Sequence, residues 1–252
     1  MDRGTYAAAS AGMLNLLKLS VVSNNLANAS TVGFKKQDVV GSLQKFENTL
    51  AASEGNNNSY AKGDNDRVPN LIGLRTVTDF SPGSIQTTGN PLDVALREAK
   101  DFFVIAGPEG TSYTRAGNFS IDQTGQLVTS DGFAVQGDGG AITIPEGGVV
   151  TISENGEVKA GDQPLGKLQV VRFEDTSNLN PTGGTRYQLT GAGSPQTVDP
   201  AIVAGSVELP NTSIVTSMVD LISVNRAFAS YVKTAQSIDD LNRQAINDIG
   251  RG

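Results

Sequence analysis

The chain has 252 residues, with 26 acidic against 19 basic side chains, a net charge of −7, and neither cysteine nor histidine. The acidic balance argues against nucleic acid as the main partner, because binding phosphates needs a basic patch. The missing residue types remove cysteine nucleophiles, Ser-His-Asp triads, histidine bases and the usual zinc sites. Carboxylate-pair chemistry, Ser-Lys chemistry and oxygen-ligated calcium stay open.

The first predicted element is an amphipathic helix from about Thr5 to Asn28. Met13, Leu16, Leu17, Leu19, Val22 and Leu26 recur at helical spacing on one broad face. Ser10, Asn15, Lys18 and Ser20 interrupt the apolar stretch, so no membrane span is expected. Asp2 and Arg3 precede no uninterrupted apolar core, so a cleaved signal peptide is not expected either. Ser23, Asn24, Asn25, Asn28, Ser30 and Thr31 compete with the helical backbone and should loosen its end. Gly33 suits a left-handed stop, Phe34 an anchor, and Lys35 and Lys36 suit the last carbonyls of the helix.

Residues 38–50 read as a second short helix, and 51–70 as a polar, glycine-rich arm. From Leu71 the pattern turns to strands, expected at 71–80, 102–106, 112–121, 127–135, 142–144, 149–158 and 168–173. Turn signals such as Thr124-Gly125, Asp131-Gly132 and Asn155-Gly156 separate them, which predicts an antiparallel, hairpin-rich domain. Residues 178–201 read as surface loops around one strand near Tyr187. A long helix follows from Thr212 to Ile249, with a heptad seam through Leu221, Val224, Phe228, Tyr231, Ala235, Ile238, Asn242, Ala245 and Ile249.

The expected fold is therefore α+β. Long N- and C-terminal helices pair as a coiled-coil domain, over 1–36 plus 211–252. A connecting arm covers 37–70, and the antiparallel β domain covers 71–210. A helix with one apolar face cannot bury it alone, so assembly rather than catalysis is the first functional inference.

Asp93, Asp122, Asp131 and Asp138 each sit beside turn residues and read as turn-forming rather than as a carboxylate pair. Asp64-Asn65-Asp66 opens like a calcium loop but lacks the later glycine and glutamate. Ser42-x-x-Lys45 and Ser230-x-x-Lys233 match a short Ser-Lys pattern without its companion motifs. Phe102, Phe103 and Phe119 read as core. Tyr113, Thr114 and Arg115 read as a strand with one face exposed, from which Arg115 could pair with a neighbouring subunit's acidic surface.

Asn24-Asn25-Leu26-Ala27-Asn28, followed by Thr31, Gly33, Phe34 and Lys35, resembles the N-terminal signature of the bacterial flagellar basal-body rod and hook proteins. Further blocks fit the same family in order. They are Asn90-Pro91-Leu92-Asp93-Val94-Ala95, Phe102-Phe103, Tyr113-Thr114-Arg115 with Gly117 and Phe119, Gly205-Ser206-Val207-Glu208, Met218-Val219 and Asn225-Arg226-Ala227-Phe228. Within the family, the opening Met1-Asp2-Arg3, the length and the block 139–147 are most like the proximal rod protein that precedes the distal rod. Pro210 departs from the family pattern, in which a Ser precedes the C-terminal Asn.

The resemblance implies a structural, non-catalytic subunit of an axial tube without metal or cofactor. It would be exported through the flagellum's own type III apparatus without a cleaved signal, reside in the basal body across the periplasm, and pack against other rod proteins and copies of itself. Leu16, Leu19, Val22, Asn24, Asn25, Leu26, Asn28, Phe34, Met218, Leu221, Val224, Phe228, Tyr231, Ile238, Asn242 and Ile249 are the expected subunit-interface residues. A distal rod or hook subunit is the sibling alternative. A periplasmic carbohydrate-binding or carbohydrate-acting protein is the alternative of another class, and it would need a carboxylate pair at a glycosidase separation.

Overall fold

The computed structural model of the chain describes residues 3–44, 71–107, 110–145, 147–191 and 193–249. The chain divides into two compact units. A helical unit holds Met1–Asn24, Gln37–Val77 and Ser217–Gly252, and a β unit holds Asn25–Lys36 and Thr78–Thr216.

In the helical unit, the N-terminal helix spans Arg3–Ala27 and the C-terminal helix Ile214–Ile249. Both form where the apolar periodicity places them, and the α+β class holds in this broad sense. The expected coiled-coil pair does not form among the described residues. Met13 is 68 % exposed and Leu16 52 %, while Val215, Met218, Val219 and Ile222 are also largely exposed. A heptad seam specifies a face that needs a partner but not which partner, and the second helix of the same chain does not supply it. No described helix is long and apolar enough to cross a membrane.

The second short helix is also corrected. Gln37–Gln44 is a strand, paired in a two-stranded sheet with Leu71–Thr78. Its adjacent Val39 and Val40 are β-branched residues that favour extended backbone. The polar arm of 51–70 and Asp64-Asn65-Asp66 lie outside the described residues.

The β unit is built around one antiparallel six-stranded sheet. Its order is Leu179–Gly183, Arg186–Leu189, Gly110–Thr114, Asp101–Gly107, Val170–Arg172 and Gln196–Val198. Asp101–Gly107 is the reason there are two cores. Alternation sends Phe103 and Ile105 into one apolar cluster with Val94, Leu96, Phe119 and Leu127. It sends Phe102 and Val104 into the other, with Tyr113, Phe173, Leu179 and Tyr187. Edge-to-face ring pairs lock both clusters, Phe103 with Phe119 at 5.2 Å and Tyr113 with Phe173 at 4.9 Å between centroids.

Phe103→Ala therefore empties a site with no solvent access, and a loss of about 3–5 kcal/mol is expected in denaturant unfolding. A loss below about 1 kcal/mol would show that the cluster collapses around the gap.

The segment expected as loops around one strand near Tyr187 has that strand at Arg186–Leu189 and carries two more, Leu179–Gly183 and Gln196–Val198. These two form the edges of the sheet. An edge strand tolerates Pro181 because its outward N–H has no ladder partner to lose. The strand expected over 127–135 is cut to Leu127–Val128 by the turn at Gly132, which has φ +81°.

Candidate functional site

The backbone crosses the root of the β unit three times, at residues 33–36, at 79–84 and at 208–211. Backbone bonds tie the three passages together. Gly33 N–H donates to Glu208 O at 2.8 Å, Asp79 N–H to Lys36 O at 2.8 Å, and Leu209 N–H to Ser84 O at 2.8 Å.

Gly33 is required twice over. Its φ of +71° is left-handed, and a Cβ there would run into the backbone of Arg115 and Ala116. Gly89 has a similar φ of +76° with open space around it. Gly89→Ala should thus cost only the conformational penalty of about 1–2 kcal/mol, and Gly33→Ala clearly more. Equal losses in denaturant unfolding would remove the steric part of this account.

Inside the root lies a charged cluster with almost no solvent access. Lys35 Nζ donates to Glu208 Oε1 at 2.7 Å and to Ser81 O at 2.7 Å. Arg115 Nε donates to Glu208 Oε2 at 2.8 Å. Its Nη2 lies 2.7 Å from the same oxygen as an ion contact without hydrogen-bond alignment, so Nε carries the directed bond. Arg115 Nη1 donates to Asp101 O at 2.7 Å and to Glu98 O, and Gly83 N–H donates to Glu208 Oε1 at 2.9 Å. One carboxylate thus serves two cations and a backbone amide. A second buried carboxylate, Asp101, is taken by the fork of Arg172 at 2.6 and 3.0 Å.

Burial lowers the pKa of Lys35, against the opposing pull of Glu208. Burial likewise pushes the Tyr187 hydroxyl, which is bonded to the Lys35 backbone, well above the ordinary phenol range.

At the rim of this cluster, Asn211 accepts from Lys36 N–H at 2.7 Å. Its amide donates to Asp79 O at 2.8 Å, to Ser81 O at 3.2 Å and to Ser81 Oγ at 3.0 Å.

Arg115 is the clearest correction among the sequence-derived residues. It is buried and paired with Glu208 of its own chain, not presented to a neighbour. Tyr113 and Thr114 are buried with it, so no face of that strand segment is exposed. Lys35 points to Glu208 and Ser81 rather than to helix carbonyls.

The other β-domain positions serve structure as well. Asn90 Nδ2 and Thr88 Oγ1 donate to the two oxygens of Asp93, closing a turn that carries Pro91 and Leu92. Gly117 O accepts from Val94 N–H, and Phe102, Phe103 and Phe119 fill the cores.

Of the interface positions, Phe34 and Asn25 are buried and Leu19, Val22, Leu26 and Asn28 half-buried, whereas Leu16 and Asn24 are exposed. On the C-terminal helix, Leu221, Val224 and Phe228 are half-buried, and Met218 and Tyr231 exposed. Ile238, Asn242 and Ile249 lie in the helix with side chains outside the described set.

Lys35, Glu208 and Asn211 were not singled out as a site. The available signal was a charged residue closing each of two family blocks, Lys35 after Phe34 and Glu208 after Val207.

The aspartates sit in turns. Asp122 accepts from Thr124 and Gln126 N–H groups at 2.8 Å, and the Gln126 bond first, then the Thr124 hydroxyl, hold its carboxyl below the usual range. Asp131 faces Arg186 at 3.8 Å. Among the described residues no three acidic side chains converge as a metal site would need. Ser230 and Lys233 lie exposed on the C-terminal helix.

A β unit clasped at its root, on a chain whose helices expose apolar side chains, is the architecture of a structural, assembly-forming subunit. Family models agree on which kind. The model for flagella basal body rod proteins matches residues 6–35, that for the flagellar hook protein FlgE/F/G D1 domain matches 98–160, and that for the flagellar basal body rod FlgEFG protein C-terminal region matches 203–248. The chain is 32 % identical to flagellar basal-body rod protein FlgF of Caulobacter vibrioides, covering 100 % of this chain and 99 % of the relative. It is 34 % identical to FlgF of Salmonella typhimurium, covering 95 % of each. It is also 32 % identical to flagellar basal-body rod protein FlgG of Bacillus subtilis, covering 98 % and 99 %. The chain belongs to the flagellar basal-body rod protein family.

Proposed function

We propose that this chain occupies the proximal part of the flagellar rod, where the apolar stripe of its C-terminal helix packs against neighbouring rod subunits. It is a structural subunit of the basal-body rod. The observation that carries this is a likeness to rod proteins running from one end of the chain to the other. The proximal position is supported by the opening Met1-Asp2-Arg3, the chain length and the block 139–147. Exposed apolar side chains at Val215, Met218, Val219 and Ile222 support burial against other subunits. In this reading the protein catalyses nothing. It is exported through the flagellar type III apparatus without signal cleavage and stands in the periplasmic stretch of the basal body.

The near-equal likeness to a FlgG relative favours one second reading, a distal rod subunit. Deleting the gene in its host and imaging purified basal bodies tests the choice. Structures that stop at the inner-membrane ring support the proximal position. Structures that lack only later parts move the chain distally, and intact structures remove it from the rod.

A further inference from the structure

We propose that Asn211 is the positioning residue of this chain: its single carboxamide spaces the three backbone passages at the root, so that the leads to the two helices leave the β unit side by side. The leads are residues 28–36, which follow the N-terminal helix, and 208–213, which run into the C-terminal helix at Ile214.

Asn211 differs in kind from the buried cluster beneath it. Lys35, Arg115 and Glu208 join side chains in a site closed to water. Asn211 bonds mainly to main chain, to Lys36 N–H on the first passage and to Asp79 O and Ser81 O on the second. Bonds to main chain locate backbone. Asn211 and Lys36 are half-buried and Ser81 is exposed, so water can replace these bonds when the side chain is removed, and the global stability changes little. What is lost is the fixed spacing. From the third passage its one side chain reaches main chain on both of the others.

The last of the three readouts below rests on the rod reading; the first two do not. The full chain is compared with its Asn211→Ala and Asn211→Asp variants. The Asp variant keeps an acceptor for Lys36 N–H and sets a carboxylate oxygen against Asp79 O and Ser81 O. In both variants the amides of Lys36, Asp79 and Leu209 should exchange with solvent about tenfold faster or more. The amide of Val104, in the central strand and bonded to Gln169 O just before the strand Val170–Arg172, should exchange as in the parent, and the thermal midpoint should stay within about 3 °C. Incorporation into basal bodies of a host lacking its own gene copy should be lost.

Equal acceleration at Val104 and Lys36, with a midpoint as low as that of Phe103→Ala, would overturn the proposal and make Asn211 an ordinary stabilising contact. Unchanged exchange at the three root amides, or normal incorporation of both variants, would overturn it too. If the parent chain itself never enters basal bodies, the rod reading fails, and the exchange comparison still decides the role of Asn211.

Discussion

Glu208→Gln is expected to destabilise the β unit by about 3–5 kcal/mol, because it leaves two buried cations without their carboxylate. The new amide would also point a donor at Arg115 or at Lys35 and Gly83, all of which donate to Glu208 now. Lys35→Met should behave in the opposite way. Glu208 keeps Arg115 and the Gly83 N–H, and Ser81 O keeps the Asn211 amide, so no partner is orphaned. A change within about 1.5 kcal/mol of the parent, of either sign, is expected.

Denaturant unfolding followed by tyrosine near-ultraviolet dichroism measures both variants, and similar losses in the two would contradict this division of roles. The pair also predicts a pH trend. Burial lowers the Lys35 pKa from 10.5, so between that lowered value and 10.5 the unfolded chain binds the extra proton and stability rises with pH. The comparison belongs at pH 7 and 9.5. Above pH 10 the raised pKa values of Tyr113 and Tyr187 act with the opposite sign, since their unfolded forms lose protons first. The rise from pH 7 to 9.5 should be smaller in Lys35→Met than in the parent.

Phe228→Asp should abolish incorporation into basal bodies while leaving the β unit's unfolding midpoint where it was. Phe228 and Val224 lie half-buried on one stripe of the C-terminal helix. Fully burying such a side chain is worth about 1.5–3 kcal/mol, the part not yet gained in the single chain being available against another subunit, and an unpaired carboxylate in the same place reverses that sign. In a helical assembly the loss recurs at every subunit. Val224→Asp should act alike. Normal motility of either variant in a host without the wild-type gene would rule out this stripe as the packing face.

Helices and strands were legible to different degrees. The two long helices could be read because a 3.6-residue period survives over 25 and 36 residues. Their pairing could not, since periodicity describes one surface and not its complement. The central strand at Phe102–Ala106 could be read from a short apolar run between turns. The strand near Tyr187 could be read as well, but its companions Leu179–Gly183 and Gln196–Val198 could not, because they are five and three residues long and the first contains proline. At Gln37–Gln44 the helix expected over 38–50 gives way to a strand, because pairing with Leu71–Thr78 decides a segment whose adjacent valines favour extended backbone.

The charged cluster was the hardest part. Lys35 and Glu208 are 173 positions apart, and nothing local distinguishes a glutamate that will be buried from one that will be solvated. Only its place at the end of a family block set Glu208 apart.

The closeness of Gly33 N–H to Glu208 O carries a consequence for how such chains diversify. Within the β unit, which holds Asn25–Lys36 and Thr78–Thr216, the first segment therefore lies against the end of the second, so the β unit is topologically an insertion into the sequence of the helical unit. A chain with such a junction tolerates replacement of what lies beyond it, because a short turn or a larger domain spans the same gap. Selection can then enlarge, shrink or exchange the β unit while the terminal helices keep their sequence constraints.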